Sequence, residues 1–164
     1  MSTAWVALGA NLGDPRRTLL RALRWLAALP GTRLSRASSL HRTSPVGPPQ
    51  PDFLNAVARL ETHLSPETLL VALLTLEQAA GRERTVHWGP RTLDLDLLLM
   101  GADGSLVHKV QPFRLQLPLL AGPDLVLPHP RLHERRFVLA PLAELDPDLM
   151  LATGLTVAQQ LAAL

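Results

Sequence analysis

The chain has 164 residues, of which 47% are hydrophobic, and its formal net charge is only +2. This length suits one domain with a proper core and leaves little room for a second. There is no cysteine, which excludes a disulfide framework, a zinc-thiolate site and a cysteine nucleophile. The start lacks a signal-peptide pattern, and no apolar run approaches the roughly 18 residues of a membrane span. We therefore expect an unprocessed, cytoplasmic protein with no membrane contact.

Strands and helices alternate along the first hundred residues. Apolar or alternating runs predict strands, and Asp-Pro and Ser-Pro pairs of the N-cap type predict the starts of helices. The segment 43–52 holds four prolines, which remove backbone donors and predict a loop. The predicted strands cover residues 4–9, 32–42, 53–62 and 92–100, and the predicted helices start at Pro15 and Pro66 and stop near Pro30 and Gly81.

The order βαββαβ predicts an α+β fold of the ferredoxin-like type, an antiparallel sheet with helices on one face. We expect a single domain, 1–164, with its core in 4–100 and a C-terminal extension, 101–164, that contributes to substrate and nucleotide binding. Helices are predicted in that extension around 137–145 and after Thr156. The stretch 101–127 has no assigned role.

Asp94 and Asp96 alternate with leucines in the last predicted strand of this core. Positions i and i+2 of a strand share a face, so the two carboxylates lie on one surface. Aspartate is a poor strand residue, and two like charges on one face repel each other unless a cation lies between them. Mg²⁺ accepts one or two carboxylates together with phosphate oxygens. The alternative is an ordinary amphipathic strand with its polar side facing solvent.

A basic loop precedes this carboxylate pair. It carries Arg82, Arg84 and Arg91 together with Trp88. Transfer of a phosphoryl-type group needs positioning and charge neutralisation, which arginines and Mg²⁺ supply without a covalent step. A solvated basic loop that partly neutralises the aspartates is the alternative. No GK[ST] triplet exists, so ATP would be bound without a Walker loop.

Four segments resemble one enzyme family in the same order along the chain. They are ALGANLGDP at 7–15, SSLHRTSPVGPPQPDFLNAV at 38–57, GRERTVHWGPRTLDLDLLL at 81–99 and LPHPRLHERRFVLAPLAEL at 127–145. Together they resemble the motifs of the 6-hydroxymethyl-7,8-dihydropterin pyrophosphokinase family of folate biosynthesis. The resemblance implies that the pterin hydroxymethyl oxygen attacks the β-phosphorus of ATP, so that pyrophosphate is transferred and AMP leaves.

The resemblance also implies roles for individual residues. Two Mg²⁺ ions would be held by Asp94 and Asp96, and these aspartates with Arg82 and Arg91 would form the catalytic set. The implied ATP contacts are Glu77, Arg84, Trp88, Arg91, Leu97, His129 and Arg135. The implied pterin contacts are Thr43, Ser44, Val46, Phe53, Asn55, Asp94 and Phe137.

Two other classes share the βαββαβ order. An RNA-binding module would need an aromatic run on its third strand, and FLNAVARL contains nothing of that kind. A regulatory small-ligand module would leave the aspartates and the arginine loop without a shared purpose. We therefore expect small-molecule substrates, no nucleic acid partner and a monomer.

Overall fold

The computed structural model of the protein describes residues 1–81, 92–102, 110–117 and 120–164. Strands and helices alternate in these ranges much as predicted. The strands are β1 (Ser2–Ala10), β2 (Thr32–Ala37), β3 (His41–Thr43), β4 (Phe53–Thr62), β5 (Asp94–Ala102), β6 (Val110–Leu117) and β7 (Leu120–Leu127). The helices are α1 (Pro15–Ala27), α2 (Pro66–Ala79), α3 (Arg136–Leu145) and α4 (Val157–Ala162), with a short 3-10 helix at Leu132–Glu134.

The main sheet has the strand order β2-β4-β1-β5, and each of its pairings is antiparallel. Strand β3 pairs with β4 beyond the end of β2. This is the ferredoxin-like α+β arrangement that the sequence predicts. Strands β6 and β7 form a separate two-stranded sheet within the segment 101–127.

The first face of the sheet is sealed by α1 and α2. Each helix begins as predicted, because Asp14 and Ser65 accept the N–H groups of Arg17 and Thr68 and a proline follows each cap. The apolar core beneath them is contiguous and buried. Its largest fully buried members are Leu8, Leu19, Leu26, Leu60, Leu69, Leu73, Leu93 and Met100.

The second face of the sheet is covered by α3 and α4. They form a smaller core with Trp5, Val57 and Leu99 of the sheet. The end of α3 is fastened to the strands by hydrogen bonds: Asp146 accepts from Trp5 Nε1 at 2.8 Å and from Arg59 Nη1 at 2.8 Å. The two C-terminal helices therefore cover a face that the βαββαβ pattern alone leaves without a helix.

One predicted strand is wrong as a continuous element. The run 32–42 is divided into β2 and β3, with Ser38, Ser39 and Leu40 between them. The side-chain oxygen of Ser38 accepts the N–H of Val57 at 2.9 Å, where a continuing strand would offer a carbonyl. Such serine side-chain bonds compete with the regular ladder, which explains the break.

Candidate functional site

The candidate site lies at one end of the second face, which we call the open end and define by Gly9, Asn55, Asp94 and Asp96. In the register of the sheet Gly9 is opposite Asn55 on one side and Asp94 on the other, while Asp96 is opposite Ala7. Residues paired across antiparallel strands share a face, so the amide and the two carboxylates project from the same surface.

Gly9 contributes no side chain at the centre of the open end. A Cβ atom at this position would lie 3.1 Å from Asn55 Oδ1, closer than ordinary packing allows. Glycine within a strand often marks a place where another group approaches the backbone closely. Glycine at this position therefore lets the Asn55 amide lie close to the backbone of β1.

Asp94 and Asp96 are half-buried on this surface, and a cation is near them. Arg135 Nη1 lies 3.7 Å from Asp96 Oδ2. Among the described residues no group of three or more acidic or histidine side chains is arranged to hold a metal. Mg²⁺ commonly takes one or two carboxylates from a protein and completes its shell with water and phosphate oxygens, so the chemistry of this pair suits the ion.

Glu77 lies beside the carboxylate pair and is buried, with 2% of its surface exposed. Its Oε2 accepts the N–H of Leu95 at 3.1 Å, on the outer edge of β5. Burial raises the pKa of Glu77 to about 9, and the nearby Asp94 and its hydrogen bond with Glu77 act in the same direction. Glu77 is therefore a neutral acid at pH 7, and its implied contact with ATP stays a prediction.

His129 and Arg135 come from the connection between β7 and α3. The N–H of His129 is bonded to Leu98 O at 2.8 Å, which ties this connection to the outer edge of β5. Burial and then the Arg135 charge lower the pKa of His129 to about 4. Because Nδ1 accepts the Arg131 N–H at 3.2 Å, the ring is neutral and carries its hydrogen on Nε2.

Arg135 is well placed to bind an anion. Its guanidinium lies over the ring of Phe137, 5.7 Å from the ring centre, and its Nε is buried without a hydrogen-bond partner among the described residues. A buried guanidinium N–H that lacks a partner is costly, and a phosphate oxygen is its natural acceptor.

The candidate pterin residues line the other side of the open end. Asn55 is buried and donates from Nδ2 to Thr43 Oγ1 at 2.7 Å. Thr43 is opposite Phe53 where β3 pairs with β4. Phe137 stands on the first turn of α3 with 37% of its surface exposed, so it is not the core residue that an apolar helix would suggest. Ser44 and Val46 are exposed in the proline-rich loop.

Among the implied site residues that the structure describes, Leu97 is the one whose side chain lies in an apolar core. It is 4% exposed and packs on the first face, away from Asp94 and Asp96. Strand alternation explains this, and only the main chain of Leu97 is left to carry the predicted ATP contact. The remaining implied residues, Arg82, Arg84, Trp88 and Arg91, lie outside the described residues.

The sequence reasoning missed two features of the site. Gly9 was read only as part of a strand end and turn, although a glycine inside an apolar strand is a signal of close approach. The second is a β-bulge in β5, where the partner of Trp5 is Leu99 and the partner of Val6 is Leu97. It turns both Leu98 and Leu99 toward the second face, and no single-strand pattern predicts it.

Comparison with known proteins gives one consistent family. Residues 5–147 match the family model described as 7,8-dihydro-6-hydroxymethylpterin-pyrophosphokinase. A 2-amino-4-hydroxy-6-hydroxymethyldihydropteridine pyrophosphokinase from Pseudomonas aeruginosa is 45% identical over 160 residues, which cover 97% of this chain and 90% of that one. The enzyme of the same name from Haemophilus influenzae is 41% identical, covering 92% of this chain and 86% of its own.

Two solved structures share the fold. One is an HPPK-DHPS in complex with substrates, with a TM-score of 0.70 at 11% identity. The other is the Plasmodium falciparum HPPK-DHPS, with a TM-score of 0.74 at 12% identity. Each alignment covers 99% of this chain and 43% of the other, so this chain corresponds to less than half of those proteins.

Proposed function

The chain belongs to the 7,8-dihydro-6-hydroxymethylpterin-pyrophosphokinase family and transfers a pyrophosphoryl group from ATP to hydroxymethyldihydropterin in folate biosynthesis; we propose that the open end is where this transfer takes place. The observation that carries the proposal is the single surface shared by Asn55, Gly9 and the two aspartates. On one side this surface offers the Asn55 amide to the polar edge of a pterin. On the other side it offers two carboxylates to the Mg²⁺ ions that accompany ATP.

The chemistry requires two partners to meet in line. The hydroxymethyl oxygen forms a bond to the β-phosphorus of ATP, the bond from that phosphorus to the α–β bridging oxygen breaks, and AMP leaves with that oxygen. The hydroxymethyl proton is released. No covalent enzyme intermediate is needed, so the residues act by positioning and by stabilising charge.

Asp94 and Asp96 are the proposed anchors of two Mg²⁺ ions. When bound, Mg²⁺ neutralises phosphate charge and draws electron density from the transferring group. The two aspartates fit this role because a cation between them would offset the repulsion of a like-charged pair on one strand face. Protonated Glu77 next to them avoids a third negative charge at the same place.

On the nucleotide side, Arg135 and His129 are the described donors. Arg135 brings a fixed positive charge close to Asp96, and His129 offers its Nε2–H as a neutral donor. We propose that Arg82 and Arg91 neutralise the transferring and triphosphate groups. We also propose that Arg84 and Trp88 line the basic loop that carries these two arginines.

On the pterin side, Asn55 can donate and accept along the amide edge of the ring. We propose that the ring lies beside Gly9, which has no side chain, and that Phe53 and Phe137 border its faces. Backbone groups near Thr43, Ser44 and Val46 would complete this pocket. The Asn55–Thr43 hydrogen bond supports the assignment because it holds the amide in one orientation.

We further propose one domain, 1–164, acting as a monomer in the cytoplasm. The absence of cysteine is compatible with a reducing compartment. Separately, no helix in the described part of the chain has the length and apolar character of a membrane span.

The test is to mix the protein with Mg-ATP and reduced 6-hydroxymethylpterin and to identify the nucleotide product by chromatography. The expected result is one AMP for each pterin diphosphate, with no AMP when pterin is omitted or EDTA is added. Formation of ADP, or of AMP independent of the pterin, would contradict the proposal.

A further inference from the structure

Glu144 connects two parts of the molecule that are far apart in sequence. It stands in the last turn of α3, and its carboxylate is bonded to the connection between β2 and β3. Oε2 accepts the N–H of Ser39 at 3.0 Å, and Oε1 accepts the Ser39 hydroxyl at 2.6 Å. His41 Nε2 is bonded to the same Oε1. One carboxylate therefore holds the backbone and side chain of Ser39 together with the first residue of β3.

This link differs from a simple surface ion pair, because one exposed carboxylate has three partners. Partial burial opposes ionisation of Glu144, but the hydrogen bonds from Ser39 and His41 outweigh it and lower its pKa below the usual value. Hydrogen bonds to a backbone N–H, a hydroxyl and an imidazole nitrogen together fix the orientation of this carboxylate.

The strand that Glu144 holds is short and leads directly into the proposed pterin pocket. Strand β3 has three residues and pairs with β4, where His41 is opposite Asn55 and Thr43 is opposite Phe53. After Thr43 the chain enters the proline-rich loop, which has no regular structure through Asp52. Three ladder residues fix a strand weakly, so its position depends on outside contacts.

The same helix carries the opposite wall of the pocket. Phe137 and Glu144 are seven residues apart on α3, which places them on one stripe of the helix about 10 Å apart along its axis. Glu144 therefore sets the position of the Thr43 wall relative to the helix that presents Phe137.

From this geometry we propose that Glu144 is a positioning residue for the pterin: it sets the spacing between the β3–β4 wall and Phe137. The inference rests on the proposed pterin pocket. Glu144 does not touch the substrate, and its effect is carried by Ser39 and His41. Other contacts, among them the bond from Arg36 Nη1 to Leu145 O at 2.8 Å, hold the end of α3 without reaching β3. Loss of Glu144 should therefore release β3 and leave α3 in place.

The test is steady-state kinetics of Glu144→Gln with each substrate varied in turn. Glutamine keeps the size of the side chain and can still accept the Ser39 N–H, so the variant should fold. The KM for the pterin should rise about tenfold, while the KM for ATP and kcat change by less than about twofold. The matched control is Asp148→Asn, an exposed carboxylate shortly after α3, which should leave all three constants unchanged.

A double-mutant cycle checks the route of the effect. Ser39→Ala should raise the pterin KM in the wild-type background and add nothing in a Glu144→Ala background. Equal increases in the KM for ATP and for the pterin, or an unchanged pterin KM in folded Glu144→Gln, would overturn the inference.

Two further variants separate this inference from the pocket itself. Asn55→Ala and Thr43→Val should raise the pterin KM if the pocket is correctly placed. If they do and Glu144→Gln does not, only the positioning role is wrong. If neither of them affects the pterin KM, the pocket assignment is wrong and the positioning role is wrong with it.

Discussion

The two faces of the main sheet are built from the same strands but have different roles. On the first face, α1 and α2 seal a continuous apolar core. On the second face, α3 and α4 cover the end that contains Trp5, Val57 and Leu99, while the open end bears Asn55, Asp94 and Asp96. Because neighbouring residues of a strand point to opposite faces, Leu95 can stabilise the core between two aspartates that are available for chemistry.

This difference shows where stability and function can be separated. Changes on the first face remove buried apolar contacts, and they should lower stability before they alter the chemistry. Changes at the open end remove polar groups outside the apolar cores, so they should alter the chemistry while the fold is kept.

The largest effect is expected from the carboxylate pair. Asp94→Ala or Asp96→Ala should lower kcat by about a thousandfold or more, because the anchor for the metal ions is lost. Each variant should still unfold cooperatively on heating, because neither aspartate belongs to an apolar core. Asp148→Asn serves as the control for loss of an exposed carboxylate. A near-normal rate with Mg²⁺ would remove the aspartates from the site.

A somewhat smaller effect is expected from Arg82, which the sequence places in the loop before β5. Arg82→Ala should lower kcat by roughly a hundredfold and weaken ATP binding much less, because its charge acts mainly on the transferring group. Stopped-flow or quench measurements of a single turnover, paired with ATP titration, check this. Equal losses in rate and in binding would move Arg82 to ground-state binding.

A substitution at Gly9 should change the KM for only one of the two substrates. Gly9→Ala places a methyl group against Asn55 Oδ1, so the KM for the pterin should rise about tenfold while the KM for ATP stays the same. Unfolding curves establish whether the variant is folded. A pterin KM that does not change in a folded variant would show that the ring does not lie over Gly9.

The smallest effect is expected from Glu77, the buried acid beside the carboxylate pair. Its pKa is raised, so the folded protein keeps a proton that the unfolded chain loses, and stability falls as the pH rises from about 4.5 toward 9. Glu77→Gln should raise Tm at pH 8 by about 3 °C, or about 1 kcal/mol, and flatten the pH dependence.

The control for this variant is Glu67→Gln in the first turn of the same helix, which should bring no gain in Tm. A lower Tm for Glu77→Gln at pH 8 would mean that Glu77 is ionised in the folded state, contrary to its environment.

The first face was predictable from the sequence, and the second was predictable only in part. Strand β4 has the predicted bounds because Leu54, Ala56 and Leu60 alternate with residues of the other face. The aspartate pair was visible for the same reason. The periodicity of a sequence indicates which face of a strand or helix each side chain occupies. It therefore predicts apolar faces and charges that share a face.

The missed features depend on partners distant in sequence. The break at Ser38 follows from its bond to Val57, and the hold on β3 comes from Glu144, more than a hundred residues from Ser39. No local pattern encodes such contacts. Leu97 illustrates the converse, because a family motif names a position without saying whether its side chain or its backbone makes the contact.

The central claim, that the open end anchors the metal ions of the transferring group, can be tested by counting bound Mn²⁺ as a substitute for Mg²⁺. The count would use electron paramagnetic resonance with a non-hydrolysable ATP analogue, on the wild type and on an Asp94→Asn/Asp96→Asn variant. We expect two tightly bound ions per wild-type chain and loss of tight binding in the variant. Two tightly bound ions in both proteins would contradict the account.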